Sequence, residues 1–208
     1  MALPSSGQLS INDIVGEFGG SAPHSLSEYY RGGSLVPNTS NNSSVPTSGQ
    51  IKITDFYGAA DNLYSGTVTN GYTSVDFGFL GQYFFRGFKN GNSQQGFFTL
   101  INNVNFGSVS DSSVDFLSGA SLIVLAESTQ SGGAAAGTLN FEVAGTFSNS
   151  GFSTLKLTTN AGSDTFNRTD ASYLSQNGTT SWSWSTTISQ NPFGTNSANI
   201  TSTTFEFN

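Results

Sequence analysis

The sequence predicts a mainly β protein: an antiparallel β-sandwich of jelly-roll type over residues 62–208, preceded by an extended N-terminal arm over residues 1–61 with short helical turns. Two observations predict the sandwich. Short runs of alternating apolar and polar residues recur from about Asn62 to the end, and Gly-, Ser- and Asn-rich stretches separate them. A third observation predicts the arm: PSSGQLSIND at 4–13 returns almost unchanged as PTSGQIKITD at 46–55, within a stretch sparing of large apolar residues.

In the arm, each copy opens on a Pro-Ser/Thr-Ser-Gly turn, where Pro fixes φ and Gly is free to take positive φ. An apolar-polar-apolar triplet follows, Leu9-Ser10-Ile11 or Ile51-Lys52-Ile53, and reads as a brief extended segment. Asn12, Ser27 and Thr54 are the N-cap candidates, each standing before an acid (Asp13, Glu28 or Asp55) that suits the positive end of a helix. A half-copy, SLSEYYRG at 25–32, matches KITDFYG at 52–58. Paired apolar residues end each module: Ile14-Val15, Tyr29-Tyr30 and Phe56-Tyr57, with Gly16 and Gly58 predicted to stop the turn in two of them. Residues 34–50, SLVPNTSNNSSVPTSGQ, read as a polar linker. The arm is expected to lack a private core, because few large side chains are available to offset the ordering of its backbone. Ile11, Ile14, Tyr29, Tyr30, Ile53, Phe56 and Tyr57 are therefore expected to face outward and dock, on the chain's own second region, on sister chains or on another protein.

In the second region, strands are expected at 73–79, 121–127, 138–145, 153–159, 180–187 and 202–208. Leu139-Phe141-Val143, Leu155-Leu157, Trp182-Trp184 and Phe205-Phe207 each place their side chains on one face. Asn-Gly at 70–71, 90–91 and 177–178 is a strong hairpin signal. No helical periodicity of useful length occurs there.

Composition narrows the function. Charged residues are 9% of the chain and aromatics 13%, including 18 Phe, which fits a Phe-rich core under an uncharged polar skin. A net charge of −7 with only six Lys and Arg, scattered, speaks against nucleic acid. Without cysteine, disulfides and thiolate metal sites are excluded. The N-terminus lacks the basic start and apolar core of a signal peptide, and LIVLA at 122–126 is too short to span a bilayer. The expectation is a soluble protein made in a cytoplasm, with no membrane insertion.

These phrases carry a resemblance. PSSGQLSINDIVGEFGG, SLSEYYRGG and PTSGQIKITDFYGA resemble modules near the N-termini of tailed-phage virion proteins, notably from viruses of marine bacteria and cyanobacteria. FSTLKLTTNAGSDTFNRTDASY and TTSWSWSTTISQNPFG look like the β-rich body that follows in them. The resemblance implies a structural virion protein made in the host bacterial cytoplasm, such as a fibre or a tail, neck or baseplate appendage. It implies other virion proteins as partners through residues 1–61, and a homo-oligomer, with a trimer favoured. The chain has no extended shaft repeat, which favours a compact attached piece. A capsid decoration (cement) protein and a carbohydrate-binding adsorption module are the alternatives.

Chemistry-bearing residues are sparse. His24 is the single histidine and sits beside Pro23, so it has no His or Cys partner for a metal site or dyad. Asp111 with Asp115, or Glu127 with Glu142, are the best carboxylate pairs for glycosidase chemistry. Asp164 and Asp170 around Asn167 read as turn residues rather than a calcium loop. GGAAAG at 132–137 lacks the Lys-Ser/Thr of a phosphate loop and reads as a hairpin tip. Trp182 and Trp184 could stack on a host surface glycan if exposed, although their spacing equally serves a core. The Phe-rich stretch at 79–98 is a candidate subunit contact. No enzyme activity, cofactor or metal is expected.

Overall fold

The computed structural model describes residues 3–61, 64–78, 81–130, 137–187, 190, 192–194 and 200–208. Most of GGAAAG, Asn62 at the predicted boundary, and Phe79 lie outside the described residues. The chain is mainly β, with two antiparallel sheets and a few short helices. It divides into two compact units, Met1–Tyr64 with Asn208, and Ser65–Phe207.

The first unit has a core of its own, which overturns the coreless reading. Leu3, Ile14, Phe18, Tyr29, Val36, Val45, Phe56 and Ala59 are buried together. Phe56 meets Phe18 edge-on with centroids 6.2 Å apart, and Tyr29 edge-on at 6.3 Å. Each module is too small to enclose anything, but three modules pool their apolar residues at one centre. The predicted linker takes part as well. Val36 and Val45 enter the core, and fully buried Asn42 donates to the carbonyls of Pro37 (3.0 Å) and Ala60 (2.9 Å) while accepting from the Ala60 N–H at 2.9 Å. The ends of the unit meet where Leu3 N–H donates to Ala59 and Gly58 N–H to Pro4.

The local readings need two corrections. The N-caps are Ser10, Ser25 and Lys52, two positions before those expected, so each acid occupies the third helical position. There Asp13 accepts from the Ser10 N–H at 2.8 Å and Asp55 from the Lys52 N–H at 2.7 Å, satisfying a donor that the first turn leaves orphaned. In the first copy, α1 (Ile11–Phe18) also runs through Gly16 and ends at Gly19, because Phe18 extends the buried stripe by another turn. Gly58, with φ +74°, does end the third module's turn (Ile53–Phe56).

In the second unit, one sheet has the order β4-β1-β12-β8-β9: Ser108–Val109, Tyr64–Thr69, Ser202–Phe207, Thr154–Thr159 and Gly162–Asn167. The other has the order β10-β11-β7-β6-β3-β2: Ser172–Gln176, Thr179–Thr186, Gly137–Ala144, Ala120–Gln130, Gln82–Lys89 and Gly71–Asp76. The short strand β5 (Ser113–Val114) pairs with β6. The predicted alternation holds: Leu139, Phe141, Val143, Leu155, Leu157, Trp182, Trp184, Phe205 and Phe207 are all buried. Rings from the two sheets meet, Phe141 with Phe207 at 4.6 Å and Trp184 with Phe166 at 6.0 Å.

Of the three Asn-Gly signals, only 177–178 closes a hairpin within a sheet. It joins β10 to β11 with φ of 52° and 77°, the left-handed pair that a tight hairpin demands. Asn70-Gly71 instead carries the chain from one sheet to the other, and the Asn70 amide donates to the carbonyls of Phe193 and Ile200 and to Thr203. Asn90-Gly91 begins a strap over residues 90–107 that covers the other face of the β3/β6 region. Phe98, Ile101 and Phe106 of the strap pack on Phe85, Val124 and Ala126 of the sheet.

Candidate functional site

The repeated phrase builds the clearest local device in the chain. Gly7 and Gly49, the glycines of the two Pro-x-Ser-Gly turns, take φ of +94° and +85°. A residue with a side chain pays for that region, and glycine does not. Each turn presents its glycine carbonyl to a tyrosine from a different module: Tyr57 donates to Gly7 at 2.5 Å, and Tyr30 donates to Gly49. The half-copy supplies a tyrosine and no such turn, the first copy supplies a turn and Val15, and the second supplies both. Two turns thus match two hydroxyls. Tyr29, one residue earlier, sends its hydroxyl to the Gly19 carbonyl at 2.8 Å, with His24 Nδ1 at 3.5 Å.

The structure thus divides the predicted docking set. Ile14, Tyr29 and Phe56 have no accessible surface and point into the unit's core rather than outward. Ile11, Tyr30, Ile53 and Tyr57 are half-buried around it. The exposed large apolar side chains among the described residues, each open to solvent over about 38–50% of its surface, all lie in the second unit: Tyr72, Phe97, Leu100, Val104 and Leu174.

Trp182 and Trp184 lie in the core, with 0% and 3% of their surface exposed. Trp182 stacks on Phe141 at 5.3 Å and donates its indole N–H to Asn149, while Trp184 donates to the Asn167 carbonyl at 2.7 Å. Trp184 reaches the floor of a shallow cleft of about 260 Å³ with Asn167, Asp170 and Gln190. An indole buried to this extent offers no face on which a sugar ring could stack, so the stacking reading is corrected.

Glu127 and Glu142 do not converge. The β6–β7 register sets Glu127 opposite Leu139 and Leu125 opposite Phe141, so Glu127 shares a face with the tryptophans. Glu142, one residue beyond Phe141, points to the other face, and the sheet separates the two acids. Asp111 accepts from the Ser113 N–H at 2.8 Å, and Asp170 from the Asn167 amide at 2.8 Å, which is turn chemistry. No group of three metal-ligating side chains occurs among the described residues.

Glu142 belongs instead to a buried polar anchor that sequence reasoning missed. Its carboxylate accepts from the Ser93 hydroxyl at 2.5 Å and the Gln94 N–H at 2.9 Å, while Lys89 Nζ donates to the carbonyls of Gly91 (2.6 Å), Val104 (3.0 Å) and Asn102 (3.4 Å). Both side chains are fully buried, and together they fasten the strap to the sheet. Burial pushes the Glu142 carboxyl up, against the opposing pull of its hydrogen bonds and of Lys89. Burial pushes the Lys89 ammonium down, opposed by Glu142. The only sequence signal was a lysine among aromatic strand residues, FRGFKNG, and that pattern does not name its partner.

Comparison of the chain with family models, with curated proteins and with solved structures finds no match.

Proposed function

We propose that this chain is a non-enzymatic structural protein of a tailed-phage virion, made in the host bacterial cytoplasm. Its first unit would fasten it to other virion proteins, and its second would form a projecting, self-associating body such as a short fibre or a tail, neck or baseplate appendage. The observation that carries this reading is the repeated Pro-x-Ser-Gly phrase, which resembles virion modules and here builds a small self-clasped unit in a chain that also holds a β-rich body. The separation of Glu127 from Glu142 by the sheet supports a role without paired-carboxylate chemistry. With Ile14, Tyr29 and Phe56 enclosed, the fastening surface is the half-buried rim of Ile11, Tyr30, Ile53 and Tyr57.

In the same reading the two sheets are the layers of a sandwich, supported by the ring contacts between Phe141 and Phe207 and between Trp184 and Phe166. A jelly roll fits less closely than a plain sandwich. The successive strands β2–β3, β6–β7, β8–β9 and β10–β11 are neighbours within one sheet rather than alternating between layers.

The test supplies the full chain, or an Ile11→Asp/Ile53→Asp variant, to a phage lacking its own copy, and assays purified particles by mass spectrometry and immunogold microscopy. The full chain should be found on particles and the folded rim variant should not. Absence of the full chain from particles overturns the virion reading, and normal incorporation of the variant overturns the rim.

A further inference from the structure

The seven-stranded sheet ends at β2, and no described strand lies beyond it. Natural edge strands are blunted by brevity, Lys, Pro, bulges or a covering segment. β2, GYTSVD, has no Lys, Pro or bulge, carries its one charge, Asp76, at its last position, and pairs with β3 in unbroken register from Gly71↔Gly87 to Asp76↔Gln82. None of its residues is buried. The edge in the other sheet formed by β4 is only two residues long, and β9 carries Asp164 in mid-strand. β10 is uncharged but offers Leu174 as its one exposed large apolar residue, whereas aromatic rings flank β2 on both faces. On one face Tyr72, 50% exposed, stacks on Phe84 at 6.2 Å. On the other, Tyr83 meets Phe77 at 5.7 Å and the exposed Phe97 at 4.9 Å.

We infer that β2 is a self-association edge, pairing antiparallel with β2 of a second copy of this chain across a two-fold axis at Ser74. An open edge selects an extended strand as partner, because only a strand satisfies its outward N–H and C=O groups. The residues of β2 select a second copy. Centred on Ser74, the register sets Thr73 opposite the partner's Val75, a β-branched pair of the kind that packs well across strands. It sets Tyr72 opposite the partner's Asp76 and holds the two Asp76 carboxylates at opposite ends of the ladder, so no like charges face each other. The aromatic residues beside each edge then approach their symmetry mates. This contact is isologous and closes with two copies. It does not depend on the virion reading, and a three-fold assembly would require a different contact.

The absence of native cysteine permits a direct test in the full chain. Ser74→Cys treated with a short bismaleimide should give a covalent dimer on denaturing gels, whereas Leu174→Cys should stay monomeric. Tyr72→Lys, at a half-exposed position, and Val75→Lys should each weaken the dimer at least about tenfold in sedimentation equilibrium, a change of about 1.4 kcal/mol. Tryptophan emission, set by the buried Trp182 and Trp184, reports whether each variant is folded. A Ser74→Cys chain that cross-links no more than Leu174→Cys overturns the proposal. So does a ladder formed only when Ser74→Cys and Leu174→Cys are combined in one chain, which would mean head-to-tail pairing of β2 with β10. Loss of particle incorporation with the Ser74 cross-link intact would bear on the virion reading alone.

Discussion

The Tyr57 hydroxyl donates to the carbonyl oxygen of Gly7 at 2.5 Å, across a separation of 50 residues. Its counterpart, Tyr30 to Gly49, ties the half-copy to the second turn. The duplicated phrase is thereby explained as a pair of acceptors for a pair of hydroxyls. Tyr57→Phe and Tyr30→Phe should each lower the stability of the first unit by about 0.5–1.5 kcal/mol, the net worth of a typical hydrogen bond. The two effects should add, because the turns are separate. Urea unfolding followed by amide exchange over residues 3–61 measures both.

Phe56 is fully buried between Phe18 and Tyr29. Phe56→Ala should cost about 3–5 kcal/mol, enough to unfold a unit of this size. Both tryptophans lie in the second unit, so their emission is an independent probe. The expected outcome is lost amide protection across residues 3–61 with an unshifted tryptophan unfolding midpoint.

Much of this was legible in the sequence, and the failures share a physical cause. Period-two alternation marked Leu139-Phe141-Val143 and Trp182-Trp184 because the face turned to the other sheet takes apolar side chains, whereas the opposite face, although buried as well, takes polar ones such as Asn140 and Glu142. Turn chemistry predicted positive φ at Gly7 and Gly49 because the requirement is local. What could not be read locally was pooling: Ile14, Tyr29 and Phe56 are each too few to bury, yet they converge across three modules. Asn42 looked like linker because nothing in NNSS reveals that its amide will meet Ala60. Asn70-Gly71 and Asn90-Gly91 carried the right dipeptide, but tertiary contacts led the chain away from a hairpin.

The strap anchor predicts a pH dependence. Burial raises the Glu142 carboxyl above its ordinary value. A raised folded-state value means that the stabilising contribution is full below the unfolded-state value and is lost as pH rises through the folded one. Unfolding midpoints from tryptophan emission should therefore fall with rising pH across that window, and less so in Glu142→Gln. Lys89→Met should cost about 3–5 kcal/mol, because it leaves a buried carboxylate without its counter-charge and three carbonyls without their donor.

The buried indoles predict blue-shifted emission resistant to iodide, unchanged by added oligosaccharides. Accessible quenching of either tryptophan would restore a stacking role for that residue.

The central claim is that the first unit encloses its own core, and residues 1–64 expressed alone test it most directly. We predict dispersed amide resonances, protection at the Phe56 and Tyr29 amides, and a cooperative urea transition. A chain with random-coil shifts and no protection would contradict the account and return the repeated phrase to the role of an arm ordered only by its partner.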